Sequence, residues 1–230
     1  MATEDVVIVG GGSGGQLIGR QIFAAAGAFT YTPTTLQVSL IYVQLVGGGG
    51  GGGGAAAAAA GQISATRGGG AGGYSDELIT ITPGQTFAVT VGAGGAGGTA
   101  APTAGGAGGT TSFGAPALQA TGGVGGLGNT SSASVRISAP STGGVGTLGN
   151  VNYAGQQGDG LIQTSGSQAI SGKGGSTPFG TGGDARAAQG DGNAATGNGS
   201  GGGGAFSVNG GAGQVGGAGR DGLVMVWEYA

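Results

Sequence analysis

Residues Gly47 to Gly54 are eight consecutive glycines, and from Gly92 onward short Gly-Gly-X and Gly-X-Gly blocks recur almost to the end of the chain. Glycine has no side chain to bury, and each one held in regular structure is roughly 0.5–1 kcal/mol worse than alanine because its unfolded state is so free. With 66 glycines in 230 residues, about four times the usual share, an ordinary side-chain core cannot fill most of the molecule. Such a chain either stays disordered or folds around its backbone.

Disorder goes with high net charge and few β-branched residues. This chain carries a net charge of −3, only 7% of it is charged, and it holds clear Val/Ile/Thr-rich segments. A collagen register is never held, and there are six prolines. Glycine does adopt the threefold extended polyproline-II helix, which rises about 3.1 Å per residue and has no internal hydrogen bonds. Without a Cβ, neighbouring helices approach until N–H and C=O groups pair laterally, as buried backbone groups must. The expected fold is therefore mainly β with a polyproline-II/polyglycine-II helix bundle, a short antiparallel β-module and little or no α-helix. Valine, leucine, phenylalanine and alanine fill its outer faces, and the intervening segments form loops at its two ends.

Four stretches read as strands by their β-branched content and bounding turn residues: Val6–Val9, Leu17–Phe23, Leu36–Val46 and Leu223–Tyr229. Leu78–Thr82 and Thr86–Val91 alternate in the strand period around Pro83-Gly84, which suits a type II turn, so they read as a β-hairpin. Ala55–Ala60 is too short for an isolated helix and reads as extended or a single turn. The organisation expected is a connector over 1–35 and a β-module over 36–91 with the Gly/Ala run 47–60 inserted. The glycine bundle then covers 92–222, and the C-terminal strand 223–230 returns to the β-module. Within the bundle, Gly122–Asn129 and Gly143–Asn150 are near-repeats.

The chain has no cysteine and no histidine, which removes disulfides, thiolate chemistry and the commonest general base and metal ligand. Six scattered basic residues form no nucleic-acid stripe, and no apolar run reaches the ~18 residues of a membrane helix. Val6–Gly15 contains G-x-G-x-x-G after a strand, but no Asp or Glu follows at ribose-binding distance, so it reads as a connector rather than a cofactor loop. Asp184, Asp191 and Asn193 weakly echo a calcium repeat and read as a solvated loop. No catalytic, cofactor or metal residue is assigned. Phe113, Phe179 and Phe206 read as plugs of the bundle ends. Exposed aromatics are also favoured binding anchors, and Tyr153 with Gln156, Gln157, Asp159 and Phe179 forms the candidate binding set, suited to a sugar or protein surface.

The order of elements resembles glycine-rich bacteriophage tail-fibre and tail-tip proteins. The resemblance rests on Gly15-Gln16-Leu17-Ile18 with Phe23, Gly27 and Tyr31-Thr32-Pro33, and then on Val43 leading into Gly47–Gly54. It continues through Gly72-Gly73-Tyr74-Ser75, Pro83-Gly84-Gln85, Val91–Gly95, Thr110–Gly114 and Gly222–Tyr229. It implies a non-enzymatic adhesin in the virion, often a homotrimer and sometimes a single copy capping a fibre, held by other tail, baseplate or fibre proteins. The ligand implied is a bacterial surface receptor, a lipopolysaccharide or an outer-membrane protein. A chain shorter than a whole fibre is expected to be a separate tip or attachment subunit. The rival reading is an extracellular glycine-rich matrix or ice-binding protein.

Overall fold

The computed structural model describes residues 3–5, 15–114 and 118–230, so the expected strand Val6–Val9 lies outside the described residues. The described residues contain sixteen strands and no helix. In chain order these are β1 (Thr3–Asp5), β2 (Leu17–Phe23), β3 (Gly27–Tyr31), β4 (Leu40–Val46), β5 (Ile63–Ala65) and β6 (Tyr74–Thr80). They continue as β7 (Phe87–Val91), β8 (Thr111–Phe113), β9 (Leu118–Ala120), β10 (Arg136–Ile137), β11 (Gly146–Thr147) and β12 (Val151–Tyr153). The last are β13 (Ile162–Gln163), β14 (Ala169–Ile170), β15 (Phe206–Val208) and β16 (Leu223–Tyr229). All strand pairs are antiparallel.

Two of the sheets form a sandwich. One has the order β1-β2-β16-β4-β6-β12 and the other β11-β9-β8-β7-β3. Alternate residues of β4 and β16 point inward: Ile41, Val43 and Leu45, with Val224 and Val226. They meet Tyr31, Val89, Phe113 and Leu118 of the second sheet in one buried cluster. Phe113 is thus a core residue of the sandwich, its ring stacked on Phe87 at 5.1 Å. Phe206 sits with Ile63, Ala65 and Leu161 in a separate small cluster.

The expected hairpin is corrected. The turn is present: Gln85 N–H donates to Thr82 C=O at 3.0 Å and Gly84 has φ +77°. Its two strands, however, do not pair. β6 pairs with β4 over seven residues, and β7 pairs with β3 over five, in the other sheet. Alternation identifies a strand and its buried face but not its partner. Of the expected connector over 1–35, the described residues 15–35 belong to the sandwich, because β2 and β3 contribute one strand to each sheet.

Beyond the sandwich, most backbone groups bond between segments that have no strand assignment. The N–H groups of Gly47, Gly50 and Gly53 donate to Gly73, Gly70 and Arg67. Those of Gly48, Gly51 and Gly54 donate to Gly109, Gly106 and Thr103, and those of Gly49, Gly52 and Ala55 to Arg220, Gly217 and Gln214. The carbonyls follow the same rule: Gly48 and Gly51 accept from Gly123 and Gly126, Gly49 and Gly52 from Gly95 and Gly98, and Gly50 and Gly53 from Gly202 and Ala205. The bonding repeats every third residue, and segment 47–54 has six lateral neighbours. Donated bonds run to antiparallel neighbours and accepted bonds come from parallel ones.

Segments 67–73 and 199–205 are enclosed in the same way, and each also borders 47–54. Nine further segments close a ring around these three: 92–98, 103–109, 121–128, 142–146, 155–159, 172–175, 182–184, 190–195 and 214–220. The core of this half is therefore a lattice of backbone hydrogen bonds. It also explains the two kinds of glycine sequence. An enclosed segment meets backbone on every side, so Gly47–Gly54 are all buried. A β-carbon on any of them would overlap a neighbouring backbone atom, most often a carbonyl oxygen. An outer segment has one open side, and its third residue points there. Ala93 and Ala96, Ala104 and Ala107, and Val124 and Leu127 are exposed at that spacing. The placement of 47–60 as an insertion in the β-module, with the bundle confined to 92–222, is thus corrected: Gly47–Gly54 is the centre of the bundle. Ala55 continues the run, bridging Asn129 and Gln214, and Ala56–Ala60 leads into a turn.

Candidate binding face

The face of the six-stranded sheet that points away from the core is built by strand alternation. Because Val224, Val226 and Glu228 of β16 point inward, Met225, Trp227 and Tyr229 point outward. The register places Trp227 opposite Arg20 on β2 and opposite Tyr42 on β4. Gln44 lies opposite Asp76 on β6, and Tyr74 opposite Tyr153 on β12. Five strands thus bring aromatic and polar side chains together from residues 20 to 227.

A continuous set of hydrogen bonds orients them. Trp227 Nε1 donates to Gln44 Oε1 at 3.2 Å, and Gln44 Nε2 donates to the Tyr74 hydroxyl at 2.8 Å. The Tyr74 and Tyr42 hydroxyls both donate to Asp76 Oδ2, at 2.9 and 3.0 Å. The Arg20 guanidinium lies over the Trp227 ring, 5.2 Å from its centroid. Rings held this way lose little conformational freedom on contact with a ligand, which favours affinity.

The row continues onto the bundle. Tyr74 contacts Tyr153 at 6.0 Å between centroids and Phe179 at 6.3 Å. Tyr153 is 62% exposed. Phe179 sits in a tight turn closed by paired bonds between Thr177 and Gly180. That turn is tied down by the Thr177 hydroxyl on Asn198 C=O at 2.7 Å and the Ser200 hydroxyl on Gly180 C=O at 2.8 Å. Of the five residues singled out from sequence, Tyr153 and Phe179 meet through Tyr74. Gln156 accepts from Ser176 N–H at 2.8 Å at the neighbouring bundle edge. Gln157 and Asp159 are exposed farther along segment 155–159, whose Asp159 amide donates to Lys173 C=O. Trp227, Tyr42, Tyr74 and Gln44 were not singled out. Their only signal is a shared parity within separate strands, which says nothing until the strand order is known.

Beneath this face, Glu228 is fully buried. Its Oε1 accepts from Gln21 Nε2 and the Tyr31 hydroxyl, each at 2.9 Å, and from Thr34 N–H at 3.2 Å. The Thr34 hydroxyl donates to Oε2. This carboxylate fastens the 31–34 segment to the sheet. Asp184, Asp191 and Asn193 also have partners within the fold. Asp184 pairs with Lys173 Nζ at 3.4 Å, Asp191 Oδ1 accepts from Val215 N–H, and Asn193 Oδ1 accepts from Arg186.

Burial raises the pKa of Tyr31, reinforced by the Glu228 charge and hydrogen bond. Burial also raises Tyr42 and Tyr74, with the bond to Asp76 adding to each. Groups whose pKa is higher folded than unfolded contribute stability that is complete below the unfolded value of about 10 and is lost as the pH rises past it. The melting temperature should therefore fall steadily above pH 10, with the 295 nm tyrosinate absorbance rising in step with unfolding. Complete tyrosine ionisation near pH 10 with an unchanged melting temperature would contradict this.

A search of curated proteins returned no match to the chain. A family model described as a glycine-rich domain matches residues 23–229, nearly the whole length, and the chain belongs to that glycine-rich domain family.

Proposed function

We propose that this chain is a non-enzymatic structural protein of a bacteriophage tail fibre or tail tip that attaches the virion to a host-surface receptor. The resemblance of its element order to such proteins supplies the setting. The observation that carries the binding role is the preoriented row Trp227, Tyr42, Tyr74, Tyr153 and Phe179, since tryptophan and tyrosine are the residues most enriched in binding hot spots. In this reading the receptor is a lipopolysaccharide or an outer-membrane protein, and the remaining partners are tail, baseplate or fibre proteins. We also propose that the bundle segments are polyglycine-II helices, supported by their three-residue bonding repeat. Gly51→Ala tests the close approach on which that assignment rests.

The binding experiment uses the labelled full chain on whole bacterial cells from a broad strain panel. Saturable, strain-selective binding is expected. Trp227→Ala and Tyr74→Ala should each weaken it at least tenfold, in proteins whose circular dichroism is unchanged. Folded variants that bind as well as the parent would remove the aromatic face from the role. Binding to no strain would remove the adhesin reading itself.

A further inference from the structure

The outward residues of the bundle differ in kind around its perimeter. Segments 155–159, 172–175, 182–184 and 190–195 contain Asp159, Lys173, Asp184 and Asp191. The three consecutive segments 103–109, 121–128 and 142–146 contain no charged residue. They are laterally bonded neighbours: Gly105 and Gly108 donate to Gly126 and Gly123, and Val124 donates to Thr142. Their outward rows hold Val124 and Leu127, both 50% exposed, and Val145, 47% exposed. Three residues past Val145, Leu148 is 64% exposed. At the other end of the row, Leu127 shares a surface depression of about 440 Å³ with Val135 and Ile137, which are 67% and 79% exposed.

One flank of the bundle thus carries six large apolar side chains in the open: four on or just past the uncharged segments, and Val135 and Ile137 on either side of Arg136, whose guanidinium is held within the fold by Asn129, Gln163 and Thr130 C=O. Together they expose on the order of 600 Å² of apolar surface, at the upper end of the largest patch a monomer carries. We infer that this flank is a contact surface between two copies of the chain. Two copies would form an interface of roughly 1,200 Å², the lower end of the specific class. No charge on the three segments would have to leave water. A second copy also matches the pitch. At about 3.1 Å per residue, outward side chains recur about every 9 Å along each segment, so the rows of one bundle fit between the rows of another. The inference does not depend on the receptor reading, although the two surfaces adjoin where Val145 bridges Ala154, next to Tyr153.

The test is sedimentation equilibrium of the full chain across a series from micromolar to millimolar. The mass should rise from 20.9 kDa towards twice that value. Val124→Lys with Val145→Lys should hold it at the monomer value throughout, with unchanged circular dichroism and melting temperature, since both side chains point away from the lattice. Val124→Ser with Val145→Ser, which adds neither charge nor bulk, should weaken the dimer at least tenfold. Trp227→Ala should leave it unaltered. A parent chain that is monomeric at every concentration overturns the inference. So does a dimer that tolerates both double substitutions. A monomer that arrests ice growth through this flank overturns it too, and assigns the flank to ice.

Discussion

Gly51→Ala is expected to destabilise the protein by about 3 kcal/mol or more, or to prevent folding altogether, while Ala96→Val shifts stability by no more than about 0.5 kcal/mol. The two positions touch each other. A β-carbon on Gly51 falls on the carbonyl of Ala96 and the amide of Gly97. No flexible side chain there can yield, so the backbone must move. Gly51 donates to Gly106 and accepts from Gly126, and its carbonyl also packs against Gly69 and Gly105. Displacing it strains several lateral bonds at once, each worth about 1 kcal/mol net and more when a buried partner is left unmade. Against this stands the ~0.4–1 kcal/mol that alanine contributes by stiffening the unfolded chain, too little to reverse the sign. Ala96 already carries a β-carbon, pointing to solvent. Urea denaturation of the two variants decides the matter. Equal midpoints would mean that the segments do not approach as closely as the structure has them.

Glu228→Leu should have a comparable effect on the sandwich, about 3–5 kcal/mol, because it leaves the Tyr31 and Thr34 donors without their acceptor and takes one of the two bonds of the Gln21 amide, which keeps Thr32 C=O. Apolar burial of the new side chain offsets only part of this, roughly 1.5–3 kcal/mol. Glu228→Gln should fall between the two, since one oxygen still accepts while the new amide group faces donors. The adjacent substitution Trp227→Ala, on the opposite face of the same strand, should cost far less. Gly19 belongs to this site as well: a β-carbon there would strike Glu228 Oε2. Thermal denaturation near neutral pH measures the series. A melting temperature of Glu228→Leu equal to that of the parent would show that the carboxylate contributes nothing net.

These two sites differ in how far the sequence announces them. The oligoglycine run by itself implies close backbone approach, because no other residue permits it, and the strand at Leu223–Tyr229 is plain from its β-branched and aromatic content. Nothing local marks Glu228 as buried. It lies at the end of a strand between two half-buried aromatics, and only the arrival of Tyr31 and Thr34 from nearly 200 positions away makes it an interior carboxylate. The aromatic face is legible in part. Tyr153 and Phe179 stand out as isolated aromatics, while Tyr74, which joins them, falls at the end of a glycine-rich stretch, ahead of the strand expected from Leu78.

Taken alone, the sequence determines that this protein is β-rich with little or no helix, that its turn at Pro83-Gly84 is tight, and that its glycine half is held together by backbone rather than by side chains. These are consequences of propensity and of the missing β-carbon, which act within a few residues. Tertiary structure decides that β6 and β7 part into different sheets instead of pairing. It also decides that the eight glycines are a centre rather than an insertion, and that Trp227 lies beside Arg20 and Tyr42. The reason is physical. A strand or an extended glycine segment carries its hydrogen-bonding groups and its period wherever it goes. Its partner is chosen by the fit of all the segments at once, as when Gly49 bonds to Arg220 across 171 positions of chain.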